Sequence, residues 1–343
     1  MAHHLNFNEQ TKKHSFFSTK EKAWHNLGQV IQDYPTSAEA IKHAGLDYEV
    51  EKRKLFTSSL QDMRIEVPNF FSTVRTDNDT VLGVVGKDYQ IVQNRDAFSF
   101  FDSIVGGDGM LYETAGALGH GERIFITAKL PDYIRVGNDD LIEKYLFLTT
   151  SHDGSGSITA AFTPIRIVCA NTLNAALRNQ TNTVRIRHTS NAKQRLEQAH
   201  KVMGISDRLA LQLESIFNNW TKVRISDNEV KKLIHSALAP SKEVLKTLQE
   251  GRTEDLSTCF INMVDNAYEY AMSDPTQLMN TTKGTVFGAY NAITGYFQNV
   301  RSYKDDEAKL ASILMGGTGQ LRAQTAFDLC TNYAAKGTIV ELN

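Results

Sequence analysis

Near residue 190 the pattern of apolar and polar positions changes character. Before it, apolar residues alternate with polar ones in short runs broken by Gly, Asp and Asn; after it they recur every three or four residues. Alternation at period two predicts strands, and the longer beat predicts helices. Residues 65–130 carry two strand pairs. FFSTVRTDNDTVLGVVGKDYQIVQ folds back at Asp77-Asn78-Asp79, and MLYETAGAL with ERIFITAKL folds back at Gly119-His120-Gly121, both turns that tolerate positive φ. In the second pair, Arg123, Phe125 and Thr127 set against Ile124, Ile126 and Ala128 predict one solvent-facing and one buried side. Between the pairs, Asn94 is placed to cap a helix with apolar positions Ala97, Phe98, Phe101, Ile104 and Val105.

Ahead of this sheet, Trp24, Leu27 and Gly28 mark a compact element. A short helix follows, capped by Thr36 or Ser37 and stopped by Gly45. After it, Leu146 and Leu148 begin a strand that turns at Asp153-Gly154-Ser155-Gly156 and returns over Ile158–Phe162; Pro164 ends the ladder because it lacks an N–H. IRIVCANTLNAALRN runs from strand into a helix capped by Asn171 or Thr172. Further on, Leu196, Ala199, Met203, Leu209, Leu213, Ile216, Phe217 and Trp220 predict a long packing helix. Ser226 with Glu229 is a capping box, Pro240-Ser241 opens another helix, and Thr253–Met272 is a third, ended by Asp274-Pro275. Thr285–Phe297 is helical despite Gly288 and Gly295, small residues that mark close helix approach. The expected fold is α+β: an antiparallel sheet core with packed helices, then a mainly helical C-terminal region. The expected divisions are 1–60 (N-terminal arm and docking element), 61–190 (α+β core) and 191–343 (helical region).

Composition narrows the class. Of 343 residues, 41% are apolar and 22% charged, ordinary for a globular protein. Three distant cysteines (Cys169, Cys259, Cys330) argue against a disulfide framework and for a reducing, cytoplasmic setting. No apolar run reaches membrane length, so no membrane partner is expected. The net charge of -2 hides an imbalance: residues 178–224 hold nine Lys/Arg against three acids, a basic stripe suited to a polyanion.

That stripe supplies the leading candidates. Arg166, Arg178, Arg185, Arg187 and His188 surround one strand–helix–strand unit, with Lys193 and Arg195 just beyond. In an extended TVRIRHT, Arg185 and Arg187 share a face and can pair with successive phosphates, while Tyr89, Phe125 and Phe162 are aromatic faces for unpaired bases. His152, Asp153 and His188 are the weaker catalytic candidates; Asp153 in DGSG also reads as a turn residue and Cys169 as a small buried hydrophobe. GVVGKDY and GGTG (316–319) lack the residues of a nucleotide-phosphate loop, and no metal-ligand spacing occurs.

HHLNFNEQTKKHSFFSTKEKAWHNLG at the start, GVVGKDYQIVQNRDAF, SHDGSGSITAAFTPIRIVCANTLNAAL with its RIRHT follow-on, and TVFGAYNAITGYF resemble the phage/plasmid-like protein family, domain of unknown function 932. The resemblance implies a role in mobile-element biology and brings no catalytic residues. The order of elements is also similar to that of phage single-strand annealing proteins. The expectation is therefore a nucleic-acid-binding accessory protein of a phage, plasmid or integrated element, binding or annealing single-stranded DNA, assembling as a homo-oligomer and needing no cofactor. One alternative is a protein-interaction factor, such as a host-defence inhibitor or a replication partner, that meets a host or mobile-element protein through the helix around Gly288 and Gly295 or the one through Trp220. A second is a metal-dependent nuclease or nucleotide-modifying enzyme; enzymatic activity ranks behind binding.

Overall fold

A computed structural model describes residues 5–9, 11–20, 27–105, 111–166, 171–172, 183–188, 208–304, 306–314 and 316–337. The architecture is α+β, with mostly antiparallel sheets toward the N-terminus and a mainly helical C-terminal region. The chain divides into two compact units. One comprises Met1–Pro131, Tyr145–Phe162 and Thr181–Asp207; the other comprises Asp132–Lys144, Thr163–Gln180 and Arg208–Asn343.

In the first unit a two-residue pair, β1 (Phe7–Asn8) and β2 (Lys13–His14), precedes β3 (Phe16–Thr19), β4 (Gln29–Ile31) and helix α1 (Ser37–His43). Of the two expected caps, Thr36 is the one used, and it caps α1 in a reciprocal box with Glu39. Three strands, β5 (Val50–Ser58), β6 (Arg64–Arg75) and β7 (Val81–Gly86), form an antiparallel sheet of their own. The β5–β6 register jumps between Lys54/Phe71 and Phe56/Glu66, and Pro68 and Asn69 (φ 64°) fall in that gap, where no ladder N–H is required. Leu60 at the tip of this hairpin is fully exposed.

Helix α2 (Asn94–Val105) leads to β8 (Leu111–Leu118), β9 (Arg123–Val136), β10 (Asp140–Ser151), β11 (Ile158–Arg166), β12 (Asn171–Thr172) and β13 (Thr183–Ile186). The large sheet runs β12-β11-β10-β9-β8-β3-β4, with β13 also on β11. Both predicted hairpin turns are present: β6–β7 closes through Asp79 (φ 58°), and β8–β9 through Gly119 and Gly121, with Leu118 opposite Arg123. The expected two-sided alternation on β9 is not. Ile124, Phe125 and Ile126 are all buried, as are residues 145–151 of β10, so side chains pointing to opposite faces are covered there.

The second unit is built on helices. Residues 208–220 form α3, followed by α4 (Asp227–Leu238), α5 (Lys242–Gln249), α6 (Thr258–Ser273), α7 (Val286–Gly295), α8 (Asp306–Leu314) and α9 (Thr318–Lys336). Ser226 and Glu229 make the predicted capping box; Ser241, Ser257 and Thr285 cap three further helices. An aromatic cluster forms the core. The Trp220 ring lies 5.6 Å from Phe217, 5.5 Å from Tyr290 and 5.0 Å from Phe327. Every residue of α7 is buried. A Cβ at Gly295 would overlap the Tyr270 ring of α6, and one at Gly288 would overlap the Thr282 carbonyl, which is why these two positions lack side chains. No helix among the described residues is long and apolar enough to cross a membrane.

Candidate nucleic-acid interface

β13 is held against β11 in antiparallel register, with Thr159 opposite Arg185 and Ile158 opposite Ile186. Arg185 is exposed, and so is Arg187, one residue beyond the strand's end. Extended backbone at this spacing sends alternate side chains the same way, so the two guanidinium groups suit successive anionic groups on one chain.

His188 is placed differently from the expectation. Only 6% exposed, it belongs to the interior and not to the gripping surface. Its ring stacks on Tyr89 with centroids 4.7 Å apart and planes at 23°; Nδ1 lies 3.3 Å from the Gln90 carbonyl and Nε2 3.4 Å from the Thr150 hydroxyl. The Gln90 N–H donates to the His188 carbonyl at 3.1 Å. The Tyr89 hydroxyl in turn donates to the Ser151 carbonyl at 2.7 Å, and burial, with the Asp153 charge, raises its pKa. His188 is therefore the anchor of the arginine strand. Phe125 and Phe162 are core residues, so neither offers a face to a base.

The catalytic candidates lie within electrostatic reach of one another, but their side chains are committed to structural contacts. His152 is fully buried; Nε2 pairs with the Asn94 side-chain carbonyl at 2.9 Å, while Nδ1 is buried with no hydrogen-bond partner. Burial depresses its pKa to about 4, reinforced by His188 and Arg75 and opposed by Asp153. Asp153 accepts from the Ser155 N–H at 2.8 Å and the Ser155 hydroxyl at 2.7 Å, the turn role its DGSG context suggests. Burial raises the Asp153 pKa, but these bonds outweigh it and the net shift is downward. A histidine sealed from solvent and a carboxylate committed to its own turn give a hydrolytic site no access to substrate. Among the described residues no three His, Cys, Asp or Glu side chains group to hold a metal ion.

Two residues that sequence reasoning missed or misplaced fix this region. Asn94 does not act as a helix cap: it is the first residue of α2, 1% exposed, and its amide N–H donates to the Leu46 carbonyl at 3.0 Å while its oxygen faces His152. Arg75 is 2% exposed and held on every side. It pairs with Asp77 through Nε (2.9 Å) and Nη2 (2.7 Å), donates from Nη1 to the His120 carbonyl (3.0 Å) and lies 3.8 Å over the Tyr48 ring. The Tyr48 hydroxyl donates to the Gly121 carbonyl at 2.7 Å, and burial pushes its pKa up to about 12. These groups are a structural clamp.

Of the remaining basic candidates, Arg166 pairs with Asn171 at the end of β11 in the second unit. Arg178, Lys193 and Arg195 lie outside the described residues, as do Cys169 and Trp24. Of the helices expected to receive a protein partner, α7 is wholly buried, whereas α3 buries Trp220 and exposes Leu211 (73%).

A family model described as a domain of unknown function, DUF932, matches residues 81–314. Neither a curated protein nor a solved structure matches the chain.

Proposed function

The chain belongs to the DUF932 family, a domain of unknown function, and from that premise we propose that it is a nucleic-acid-binding accessory protein of a mobile element that holds single-stranded DNA by its phosphates. The observation that carries this reading is the pair Arg185, exposed on β13, and Arg187, exposed just beyond its end, on a segment that β11 and His188 hold in place. Fixed cations at strand spacing grip a backbone without reading sequence, leaving bases free to pair. The grip requires no cofactor, and assembly into a homo-oligomer would repeat it along a strand.

The test is fluorescence anisotropy of a labelled thirty-nucleotide oligo(dT) titrated across salt. Binding at low salt that weakens as salt rises is expected, and replacing Arg185 and Arg187 together with Ala makes log Kd against log salt shallower by about 1.4, since each single-strand phosphate contact contributes about 0.7. No binding at low salt overturns the reading.

One observation favours a second reading, a protein-interaction factor. The β5–β6 hairpin and the adjoining sheet expose Leu60, Met63 (61%), Ile65 (47%) and Phe70 (51%), more apolar surface in one place than isolated exposure explains. In that case the contact is the hairpin and not α7, and replacing Leu60 and Met63 with Asp would abolish complex formation while leaving thermal stability unchanged.

A further inference from the structure

Arg185 and Arg187 are the cations that the sequence singles out, but the structure bonds the strand that carries them to a turn bearing further basic residues. Lys52, in β5 opposite Thr73, stretches its ammonium group to the Lys87 carbonyl at 3.0 Å and lies 5.5 Å from the Phe71 ring centroid. Lys87 itself is exposed. It stands three residues before Gln90, whose N–H is bonded to the His188 carbonyl, and two before Tyr89, whose ring is stacked on His188. Arg187 is the residue preceding His188. The same two contacts that anchor the arginine strand therefore bind it to the turn bearing Lys87, and Lys52 is bonded to that turn. The acids nearby subtract little. Asp153, its charge held by Ser155, and exposed Asp88 are two carboxylates against four cations.

We infer that Lys52 and Lys87 extend the arginine pair into one continuous track for the phosphates of a single DNA strand, joined at the Tyr89–His188 stack. The inference rests on the single-strand reading above and adds two contact residues to it. Cations within a screening length of about 10 Å act on one polyanion jointly at moderate salt. Lysine suits the role, because a flexible ammonium follows a mobile backbone without demanding bidentate geometry.

The same anisotropy titration tests the track with the variants Lys87→Ala, Lys87→Arg and the double K52A/K87A. Lys87 contributes only its backbone carbonyl to the contacts that hold the turn, so K87A removes charge and leaves the turn's bonds in place. The expected result is a salt slope shallower than the parent's by about 0.7 for K87A and about 1.4 for the double variant, with K87R at the parent value. If the parent binds and loses slope on removal of Arg185 and Arg187, while K52A/K87A keeps the parent slope, the track is refuted and the single-strand reading stands. Loss of slope in K87R equal to that in K87A also refutes it, because charge would not be the cause. A parent that binds no single strand refutes both.

Discussion

In the sheet-rich unit, polar side chains work far from their own segment. Arg75 reaches the His120 carbonyl 45 residues away and Asn6 69 residues away, and His152 meets Asn94 across 58 residues. In the helical unit the helix caps work next door: Ser226, Ser241, Ser257 and Thr285 each accept from the backbone N–H three residues ahead, Phe217, Trp220, Tyr290 and Phe327 pack the interior, and the long reaches, Asn218 to the Arg135 carbonyl and Thr281 to Asp140, run to the ends of β9 and β10. The difference follows from the elements. A helix satisfies its backbone internally except at its ends, so polar side chains are needed there and little elsewhere. A sheet buried on both faces must take in loops and turns, and buried polar groups from distant segments then pair with each other. The first arrangement fixes register between remote segments; the second fixes where each helix begins.

If the helical interior is held by apolar packing, its largest single loss comes from volume. Trp220→Ala removes the ring at the centre of the aromatic cluster and should lower stability by about 3–5 kcal/mol. Urea unfolding followed by far-UV circular dichroism measures this. A loss below about 1 kcal/mol would mean that the cluster closes around the gap, and the contrast between the units would weaken.

In the sheet-rich unit the corresponding weak point is electrostatic. His152 is held near pKa 4 against an ordinary value of 6.5, mainly by burial, with His188, Arg75 and Asp153 as the charged neighbours. A depressed histidine stays neutral when folded and gains a proton on unfolding. Its full contribution to stability is therefore present above pH 6.5 and is lost as the pH falls toward 4. Between pH 7 and pH 5 the loss should be about 2 kcal/mol. Burial lowers the pKa of His235 in the helical unit as well, so the assignment needs a variant: His152→Gln should remove most of the pH 5 to 7 slope in urea melts. A slope unchanged in that variant would move the pH sensitivity to His235 and break the comparison.

The same contrast explains what the sequence discloses. The cap at Thr36, the capping box at Ser226, the turn at Asp77–Asp79 and the helix starting after Thr285 are written within a few residues, and each is where its pattern predicts. Asn94 carries the same local signature as a cap, yet its partners are Leu46 and His152, which no neighbouring residue announces. Arg75 looks like a charged hairpin residue until Tyr48 and His120 enclose it. Phe125 and Phe162 alternate as exposed strand residues do, and coverage of the second sheet face decides otherwise. For the candidate interface, TVRIRHT discloses Arg185 and Arg187. The linkage to Lys87 depends on a ring stack between residues 89 and 188, a separation that no periodicity encodes.

The smallest effect sharpens the comparison from the helical side. Ser226 accepts from the Glu229 N–H at 3.4 Å, and Glu229 returns bonds to the Ser226 N–H at 3.0 Å and its hydroxyl at 2.6 Å. The exchange holds the Glu229 pKa low, first through the Ser226 hydroxyl and then through its N–H. Ser226→Ala removes the hydroxyl from this exposed box and should cost about 1 kcal/mol, while Ser226→Asp, which can still accept from Glu229 N–H but repels its carboxylate, should recover only part of it. Ser226→Gly should cost a few tenths of a kcal/mol. Urea midpoints for the three variants measure the order. A cost for Ser226→Ala approaching that of Trp220→Ala would mean that this cap is coupled to the helical core, and local polar work would no longer distinguish the two units.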